Sequence, residues 1–231
     1  MTQYHNQNPE SIREMFDAIA PTYQRTNTVM SWKLDQIWRK KLVRYLPPST
    51  HTVLDLCTGT GDLAVLISER FPKSTIIGLD FSSNMLTIVK KKIGERMPLI
   101  QGDVLAIPFK SRFDVTALSY SLRNFKNLPC FFSEVFRVLK PGGQTFFLEL
   151  TKPSSKIMRA IYFFYLSFIL PVLATLSSGH FKAYRYLARS ILHFHENQTI
   201  VIWMQEAGFQ NVQAKPLWGG MSTLFIGTKS K

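Results

Sequence analysis

The stretch that decides the fold of this chain is Val53-Leu54-Asp55-Leu56-Cys57-Thr58-Gly59-Thr60-Gly61-Asp62. It starts as a short apolar strand that contains an acid, and its two glycines then let the backbone approach a ligand closely. The apolar residues Leu63, Leu66 and Ile67 follow at the spacing of one helix face. The stretch therefore predicts a strand, a glycine loop and a helix, which together form the first unit of a nucleotide-binding α/β domain.

A second acidic strand end follows at Asp80, which closes the apolar run Thr75-Ile76-Ile77-Gly78-Leu79. A carboxylate at this distance from the glycine loop accepts hydrogen bonds from both hydroxyls of a ribose that lies along the sheet edge. The two strand ends together predict that the chain binds an adenosine-containing cofactor.

Two cofactors fit the glycine loop. The pattern Gly59-x-Gly61-x-x-Ala64 formally satisfies the relaxed dinucleotide fingerprint, in which a helix N-terminus binds a pyrophosphate. Asp55 and Asp62, however, place negative charge on both sides of the loop and disfavour a pyrophosphate. The same charge suits the sulfonium and amino groups of S-adenosylmethionine, which is therefore the predicted cofactor.

Strands and helices alternate from Thr52 to Leu150 and predict a doubly wound, Rossmann-like parallel sheet. Predicted strands cover 52–56, 75–79, 97–101, 113–119 and 144–150, and predicted helices cover 62–71, 83–95 and 128–139. The last helix is predicted to stop at Leu139-Lys140-Pro141-Gly142-Gly143, where the glycines supply positive φ. Asp55, Asp80, Asp103 and Ser119 are expected at or just beyond the carboxyl edge of the sheet, where ligands bind.

The C-terminal part of the chain is predicted to complete the sheet. A helix near 198–206 precedes two strands, 209–216 and 222–229, and the short link Leu217-Trp218-Gly219-Gly220 makes those strands antiparallel. We therefore expect a mostly parallel seven-stranded sheet with an antiparallel C-terminal strand. The expected organisation is a single domain over 1–231, made of a helical cap (1–48), a cofactor-binding core (52–150), an apolar lid insert (151–197) and the last helix and strands (198–231).

The insert contains twenty residues without a charge, 160–179. This length and apolarity suit a transmembrane helix. Pro171 interrupts the run, however, and a single span would separate the last strands from the rest of the sheet. The favoured interpretation is a lid that roofs a lipid pocket or touches a membrane, and packing within the core or a dimer is the alternative.

Composition narrows the function without deciding it. The 231 residues are 45% hydrophobic and carry a net charge of +13, which suits a folded protein that meets either nucleic acid or an anionic membrane surface. Cys57 and Cys130 lie far apart and predict a reducing compartment without a structural zinc site. The polar N-terminus shows no signal peptide, so the expected location is the cytoplasm.

Motifs along nearly the whole chain carry a family resemblance. Two of the most specific are Leu122-Arg123-Asn124 and the run Tyr184-Arg185-Tyr186-Leu187-Ala188-Arg189-Ser190-Ile191. Others are Met15-Phe16-Asp17-Ala18-Ile19-Ala20-Pro21-Thr22-Tyr23, Asp80-Phe81-Ser82-Ser83-Asn84-Met85-Leu86 and Glu206-Ala207-Gly208-Phe209. The chain resembles the quinone-biosynthesis C-methyltransferases, class I enzymes that use S-adenosylmethionine to methylate demethylmenaquinol and, in many organisms, a ubiquinone precursor.

The resemblance implies where the cofactor binds. The cofactor residues that transfer by position are Thr60, Asp80, Asp103, Val104 and Ser119. The predicted cofactor site also includes Asp55, Gly59, Gly61 and Phe81, from the segments at the first two strand ends. Asp80 is expected to hold the ribose, Asp103 the adenine amino group and Thr60 the methionine end. The chain departs from the family at Cys57-Thr58, where Ala or Gly is usual, and at Phe225, where a histidine is common.

The resemblance also implies methyl transfer to an aromatic carbon without a metal. Arg123 and Asn124 follow the fourth predicted strand and are the expected catalytic residues. Arg123 is expected to stabilise a quinolate oxygen or to position a water as base, and Asn124 to orient the ring. The alternative is that both residues only tie a structural turn.

The expected reaction is the conversion of demethylmenaquinol to menaquinol. The alternatives are methylation of the polyprenyl methoxy-benzoquinol of ubiquinone biosynthesis, or of another small lipid-like acceptor. An RNA methyltransferase fits less well because the Asn/Asp-Pro-Pro-aromatic motif is missing after the fourth strand, and a noncatalytic scaffold does not explain the intact loop. Expected partners are the prenylated quinol, the inner face of a membrane as a peripheral contact, and a second copy or a quinone-biosynthesis complex, but not nucleic acid.

Overall fold

A computed structural model of the chain describes Glu10, Asp17, Ser31 and residues 33–172 and 181–231. The apolar residues Ile12, Met15, Phe16 and Ile19 of the predicted helical cap lie outside the described residues. Residues 173–180 of the predicted insert lie outside them as well.

Helices and strands alternate through the described residues much as the sequence predicts, and most boundaries fall within two residues of the predicted ones. In chain order they are α1 (Leu34–Tyr45), β1 (Thr52–Leu56), α2 (Asp62–Arg70), β2 (Thr75–Asp80), α3 (Ser83–Ile93), β3 (Leu99–Gln101), β4 (Phe113–Ser119), α4 (Leu128–Val138), β5 (Leu139–Leu150), α5 (Lys156–Phe164), α6 (Phe181–His193), α7 (Asn197–Glu206), β6 (Gln210–Leu217) and β7 (Ser222–Thr228). A 3₁₀ turn at Leu122–Asn124 follows β4.

The described strands form one seven-stranded sheet in the order β3-β2-β1-β4-β5-β7-β6. Strands β1 to β5 pair in parallel, and β7 runs antiparallel to both β5 and β6. This arrangement confirms the predicted mostly parallel, doubly wound sheet with one antiparallel C-terminal strand. Because parallel strands share a direction, the carboxyl ends of β1, β2, β3 and β4 meet at one edge.

Apolar side chains fill both faces of the sheet, as expected for parallel strands that are covered on two sides. On one face Phe131, Phe132 and Phe147 are fully buried among residues of α4 and α7. On the other face Trp38 of α1 and Val89 of α3 belong to a second buried cluster. Each fully buried side chain of this size contributes about 1.5–3 kcal/mol relative to an exposed one, so the two clusters hold the binding edge in place.

The segment Pro141-Gly142-Gly143 differs from the sequence prediction. Helix α4 ends at Val138 and β5 begins at once at Leu139, so the prediction that the strand starts at 144 was wrong. Gly142 has the predicted positive φ of 79°, but it lies within an irregular start of β5. A Cβ on Gly143 would come within 2.9 Å of the Lys140 carbonyl, so glycine is required there for close backbone approach.

The apolar insert forms helices that rest on the sheet edge. Helix α5 continues into a π-helical turn, Tyr165–Ile169, and α6 returns along it. Leu166 of this turn and Leu170 are buried in a small core with Ala188 and Ile191 of α6. Within the part of the chain that the structure describes, none of the helices has the length and apolarity needed to cross a membrane.

Candidate active site

The loop after β1 is shaped by its glycines. Gly59 and Gly61 both have positive φ, 54° and 78°, which side chains with a Cβ rarely adopt. A Cβ on Gly61 would also lie 3.0 Å from Cγ1 of Val89, so glycine lets the loop approach α3. The Gly61 N–H donates to the Thr58 carbonyl at 2.8 Å and closes the turn before α2 begins.

Asp80 is fixed at the end of β2 by backbone donors. Its Oδ2 accepts from the Gly59 N–H at 2.8 Å and its Oδ1 accepts from the Ser82 N–H at 2.9 Å. Burial raises the pKa of Asp80, and these backbone hydrogen bonds oppose that rise. Each carboxylate oxygen keeps a second lone pair, so the group can accept two further hydrogen bonds from a diol.

Ser82 connects this acid to the N-terminal part of the chain. Its hydroxyl accepts from the Met85 N–H, which caps α3, and donates to the carboxylate of Asp17. Asp17 therefore reaches the binding edge from the region predicted as the helical cap.

Asp55 lies behind the loop instead of on its ligand side. It is only 1% exposed, and the Thr58 hydroxyl donates to its Oδ2 at 2.6 Å. Burial raises the pKa of Asp55 to about 7, the hydrogen bond from Thr58 opposes that rise, and the charge of Asp80 adds to it. Asp55 therefore supports the loop through Thr58.

Asp62 is paired within the protein. Its Oδ1 lies 2.6 Å from Nζ of Lys92, and the Thr60 hydroxyl donates to its Oδ2 at 3.2 Å. The negative charge that the sequence places on both sides of the loop is therefore offset by this ion pair and by the raised pKa of Asp55. The charge argument for the cofactor is thus weaker in the structure than in the sequence.

A cleft of about 210 Å³ opens at the carboxyl edge of β1, β2, β3 and β4. Most of the predicted cofactor residues line it: Gly59, Thr60, Asp80, Phe81, Asp103, Val104 and Ser119. Asp55 and Gly61 are not among the lining residues. Asn124 of the predicted catalytic pair also lines the cleft, beyond Ser119. The structure therefore brings seven of the nine predicted cofactor residues together with Asn124 in one cleft.

The cleft also contains a basic residue that the sequence prediction of the site did not include. Arg39 of α1 is 6% exposed and lines the cleft, and its Nε donates to the Ser119 hydroxyl at 3.3 Å. Its Nη1 lies 2.6 Å from Oδ2 of Asp35, one helical turn earlier. The i,i+4 spacing of Asp35 and Arg39 was the available signal, but such pairs are common on exposed helix faces.

Arg123 is held in a buried ion pair. Its Nη1 lies 2.5 Å from Oε1 of Glu149, and the two side chains are 5% and 0% exposed. The Arg123 backbone N–H donates to Oε2 of the same carboxylate, and its Nε donates to the Ser190 hydroxyl at 3.2 Å. Arg123 is not among the residues that line the cleft. This placement favours a positioning role over the predicted contact with a quinolate.

Asn124 is oriented by the insert. The Tyr186 hydroxyl of α6 donates to Oδ1 of Asn124 at 2.9 Å. Among the residues that the structure describes, the side-chain NH₂ group of Asn124 has no hydrogen-bond partner, so its donors are available. Helix α6 thus contacts both members of the predicted catalytic pair, Arg123 through Ser190 and Asn124 through Tyr186.

The two departures from the family pattern have structural outcomes. Phe225 is fully buried and pairs with Phe147 across β7 and β5, so it belongs to the core. Cys57 lines the cleft with a positive φ of 52°, and burial raises the pKa of its thiol. A protonated thiol is a weak nucleophile, so the loop cysteine has little reactivity.

These residues fit S-adenosylmethionine. Asp80 offers acceptors for a ribose diol, Asp103 lies on the wall two residues beyond β3, and the glycine loop gives backbone close to the ligand. Thr60 and Ser119 supply hydroxyls on the β1 and β4 side of the cleft. The described residues contain no cluster of His, Cys, Asp and Glu side chains that could hold a metal ion.

Comparison with known sequences identifies the family. A model of the ubiE/COQ5 methyltransferase family matches residues 1–229. A demethylmenaquinone methyltransferase from Porphyromonas gingivalis is 34% identical over 239 residues, which cover 99% of this chain and 98% of the relative. Another from Lactococcus lactis is 35% identical over 231 residues, with coverage of 97% and 92%.

Solved structures share the fold. A SAM-dependent methyltransferase from Thermotoga maritima superposes with a TM-score of 0.65 at 19% identity, covering 94% of this chain and 99% of that one. Human N-acetylserotonin methyltransferase, solved in complex with SAM, gives a TM-score of 0.61 at 19% identity, covering 94% and 59%. With the full-length family match, these observations establish that the chain belongs to the ubiE/COQ5 methyltransferase family and is an S-adenosylmethionine-dependent methyltransferase.

Proposed function

We propose that this protein methylates a ring carbon of a prenylated quinol, converting demethylmenaquinol to menaquinol. The observation that carries the proposal is the near-full-length similarity, at 31–35% identity, to relatives named demethylmenaquinone methyltransferase. The proposal is supported by a cleft that is lined by most of the predicted cofactor residues and by Asn124, which the apolar insert contacts through Tyr186.

The chemistry requires a reduced ring. A quinone is electrophilic, whereas a quinol that loses a phenolic proton has a nucleophilic ring carbon. When bound, S-adenosylmethionine supplies an electrophilic methyl group on a sulfonium. The ring carbon gains the methyl group and loses its hydrogen as a proton, and the sulfur keeps the electron pair of the broken bond, so no oxidant is needed. The protein must therefore orient the ring and exclude water.

Asn124 and Arg123 have different roles in this reaction. The NH₂ group of Asn124 donates to a ring oxygen while Tyr186 holds its Oδ1. Arg123 keeps the 3₁₀ turn that carries Asn124 against Glu149 and so positions the Asn124 donor. Donors that are already oriented toward developing charge stabilise it without reorganisation.

A labelled-methyl assay tests the acceptor. The purified protein is incubated with methyl-labelled S-adenosylmethionine and with demethylmenaquinone that is either kept reduced or left oxidised. Label is expected in the reduced quinone only. Phospholipid, bulk RNA and the demethylated benzoquinol precursor of ubiquinone serve as competing acceptors. Label in RNA or phospholipid but not in either quinol would overturn the proposal, and a clear preference for the benzoquinol would move it to the ubiquinone precursor.

We further propose that the protein meets its substrate at a membrane surface through one face of the insert. Ile157, Ile161, Phe164, Phe168 and Val172 are each more than half exposed and recur every three or four residues along α5 and its continuation. This spacing places them on one face of the helix, which we call the apolar face.

The neighbourhood of the apolar face supports an interfacial role. A Cβ on Gly219 would lie 3.4 Å from Cε of Met158, so the turn that carries the 60%-exposed Trp218 packs beside α5. Trp is common at membrane interfaces. The exposed Lys156 begins the helix, and the whole chain carries +13, so anionic headgroups attract it.

Vesicle sedimentation tests the apolar face. The protein is expected to sediment with anionic vesicles, and the double variant Ile161→Ser/Phe164→Ser should lose most of this binding because two insertion side chains become polar. Ile202→Ser, at another exposed isoleucine on α7, is the matched control and should bind as the unmodified protein does. Equal binding of all three proteins would reject the assignment.

A further inference from the structure

The cofactor has an anionic group that the residues considered so far do not accommodate. S-adenosylmethionine carries a carboxylate on its methionine end, and the charged groups on the cleft wall include the carboxylates of Asp62, Asp80 and Asp103. An anion placed among these carboxylates needs a cation or several N–H donors. Of the lining residues that the structure describes, two are cationic, Arg39 and Lys126, and Arg39 is the buried one of these two.

Arg39 lies on the correct side of the cleft. Asp80 ends β2, Asp103 follows β3, and Ser119 ends β4 on the other side of β1. With the ribose at Asp80 and the adenine at Asp103, the methionine part of the ligand extends past the glycine loop toward β4. The Arg39 Nε contacts Ser119 at that end of the cleft.

Contacts within the protein orient the guanidinium group of Arg39. Its Nη1 donates to Oδ2 of Asp35 at 2.6 Å, while the Ser31 hydroxyl donates to Oδ1 of the same acid. Its Cζ lies 4.9 Å from the centre of the Tyr120 ring, which is a cation–π contact. These contacts occupy Nη1 and one face of the group and fix its plane.

One nitrogen of the fork remains for a ligand. Among the residues that the structure describes, Nη2 of Arg39 has no hydrogen-bond partner, whereas Nε and Nη1 each have one. A planar guanidinium with a free edge matches the geometry of a carboxylate. We infer that Arg39 binds the carboxylate of the methionine end of S-adenosylmethionine, so that α1 supplies one wall of the cofactor site.

This inference depends on the cofactor and not on the identity of the acceptor. It remains valid if the methylated molecule is not a quinol, and its test is a binding measurement that needs no acceptor. The probes are S-adenosylmethionine and its decarboxylated form, which lacks only the carboxylate.

Calorimetry with both ligands, on the unmodified protein and on Arg39 variants, measures the coupling between the Arg39 side chain and the ligand carboxylate. The unmodified protein should bind S-adenosylmethionine roughly 10- to 100-fold more tightly than the decarboxylated form, the scale of a charge-assisted hydrogen bond. Arg39→Gln should bind the two ligands within about threefold of each other, and Arg39→Lys should keep part of the preference because its ammonium lacks the fork. Lys40→Gln, at the exposed next residue of α1 and outside the cleft lining, is the matched control and should keep the full preference.

Two outcomes would overturn the assignment. One is an unmodified protein that binds both ligands equally, and the other is an Arg39→Gln protein that keeps the full preference. Arg39→Gln leaves Asp35 without its ion-pair partner, so the variant Asp35→Asn/Arg39→Gln removes both charges and keeps the test available if the single variant unfolds. If the unmodified protein shows no preference between S-adenosylmethionine and its decarboxylated form, that result alone rejects the assignment.

Discussion

Two sides of the cleft are built in different ways. We call the side with Asp80 the cofactor side and the side with Asn124 the acceptor side, after their proposed roles. On the cofactor side, Asp80 bonds the Gly59 N–H, 21 residues away, and the neighbouring Ser82 N–H. On the acceptor side, Tyr186 bonds Asn124 across 62 residues and Arg123 bonds Ser190 across 67. The hydrogen bonds on the cofactor side come from backbone N–H groups within two adjacent βα units. Those on the acceptor side join side chains from segments that are far apart in the sequence.

This difference means that the cofactor side depends on local loop geometry, whereas the acceptor side depends on how the insert packs on the core. Substitutions on the two sides should therefore have separable effects. Cofactor-side changes should act on ligand affinity, and acceptor-side changes on stability or turnover.

The largest expected effect is at the buried ion pair. Glu149→Gln removes the charge that compensates Arg123 in a fully buried site, so it should lower the free energy of unfolding by about 3–5 kcal/mol. Glu134→Gln, in the partly exposed pair with Arg137, is the matched control and should cost no more than about 1 kcal/mol. Urea unfolding measures both, and equal losses in the two variants would show that the Arg123 pair is not a special structural element.

The effect of Arg123 on the reaction must be measured separately from its effect on the stability of the fold. Arg123→Leu alone leaves Glu149 buried and unpaired, so a loss of activity in that variant reports on the fold as well as on the reaction. The paired variant Arg123→Leu/Glu149→Leu removes both charges. If Arg123 acts on the reaction by positioning the Asn124 donor, this paired variant should be folded and bind cofactor normally, with kcat lowered by about 10²–10³-fold. A normal kcat would assign Arg123 to structure alone.

The next effect is on the cofactor side. Asp80→Ala removes a carboxylate placed to accept two hydroxyls, so S-adenosylmethionine affinity should fall by about 2–3 kcal/mol. Asp114→Ala, at the amino end of β4 and therefore at the opposite edge of the sheet, should leave the affinity unchanged. Titration calorimetry measures both, and an unchanged affinity in Asp80→Ala would contradict the ribose assignment.

Much of this comparison could be predicted from the sequence. The glycine loop, the acid nineteen residues beyond it and the alternation of strands and helices follow from local apolar patterns and turn chemistry, and in the structure Thr60, Asp80 and Asp103 line one cleft. The partners of Arg123 could not be predicted. The sequence around Glu149 indicates only a strand and that around Ser190 only a helix, and neither pattern shows that the two side chains meet Arg123. Burial of Arg39 was missed because an i,i+4 ion pair looks the same on an exposed helix.

A smaller effect concerns pH. The pKa of Asp55 is about 7 in the fold, so the folded state binds more protons than the unfolded state from the ordinary aspartate range up to that pH. Stability should therefore fall as pH rises through this window. Asp55→Asn removes this dependence, so its stability relative to the unmodified protein should rise by about 2 kcal/mol between about pH 5 and about pH 8. Urea unfolding at both pH values measures the change, and a constant difference would contradict the raised pKa.

The smallest effect tests whether the insert orients the acceptor residue. Tyr186→Phe removes one hydrogen bond to Asn124, so kcat should fall by about 2- to 10-fold while cofactor affinity is unchanged. Tyr45→Phe, on α1 at a half-exposed position, is the matched control and should be without effect. A parallel loss of cofactor affinity in Tyr186→Phe would mean that the two sides of the cleft are not separable.

The most direct test of the account is the quinone pool of cells that lack this protein. Mass spectrometry of extracted quinones should show a species lighter by one methyl group in place of the normal quinone. Expression of the unmodified chain should restore the methylated form, and expression of Asp80→Ala at the same level should restore much less of it. A quinone pool that is unchanged by the deletion would contradict the proposed function.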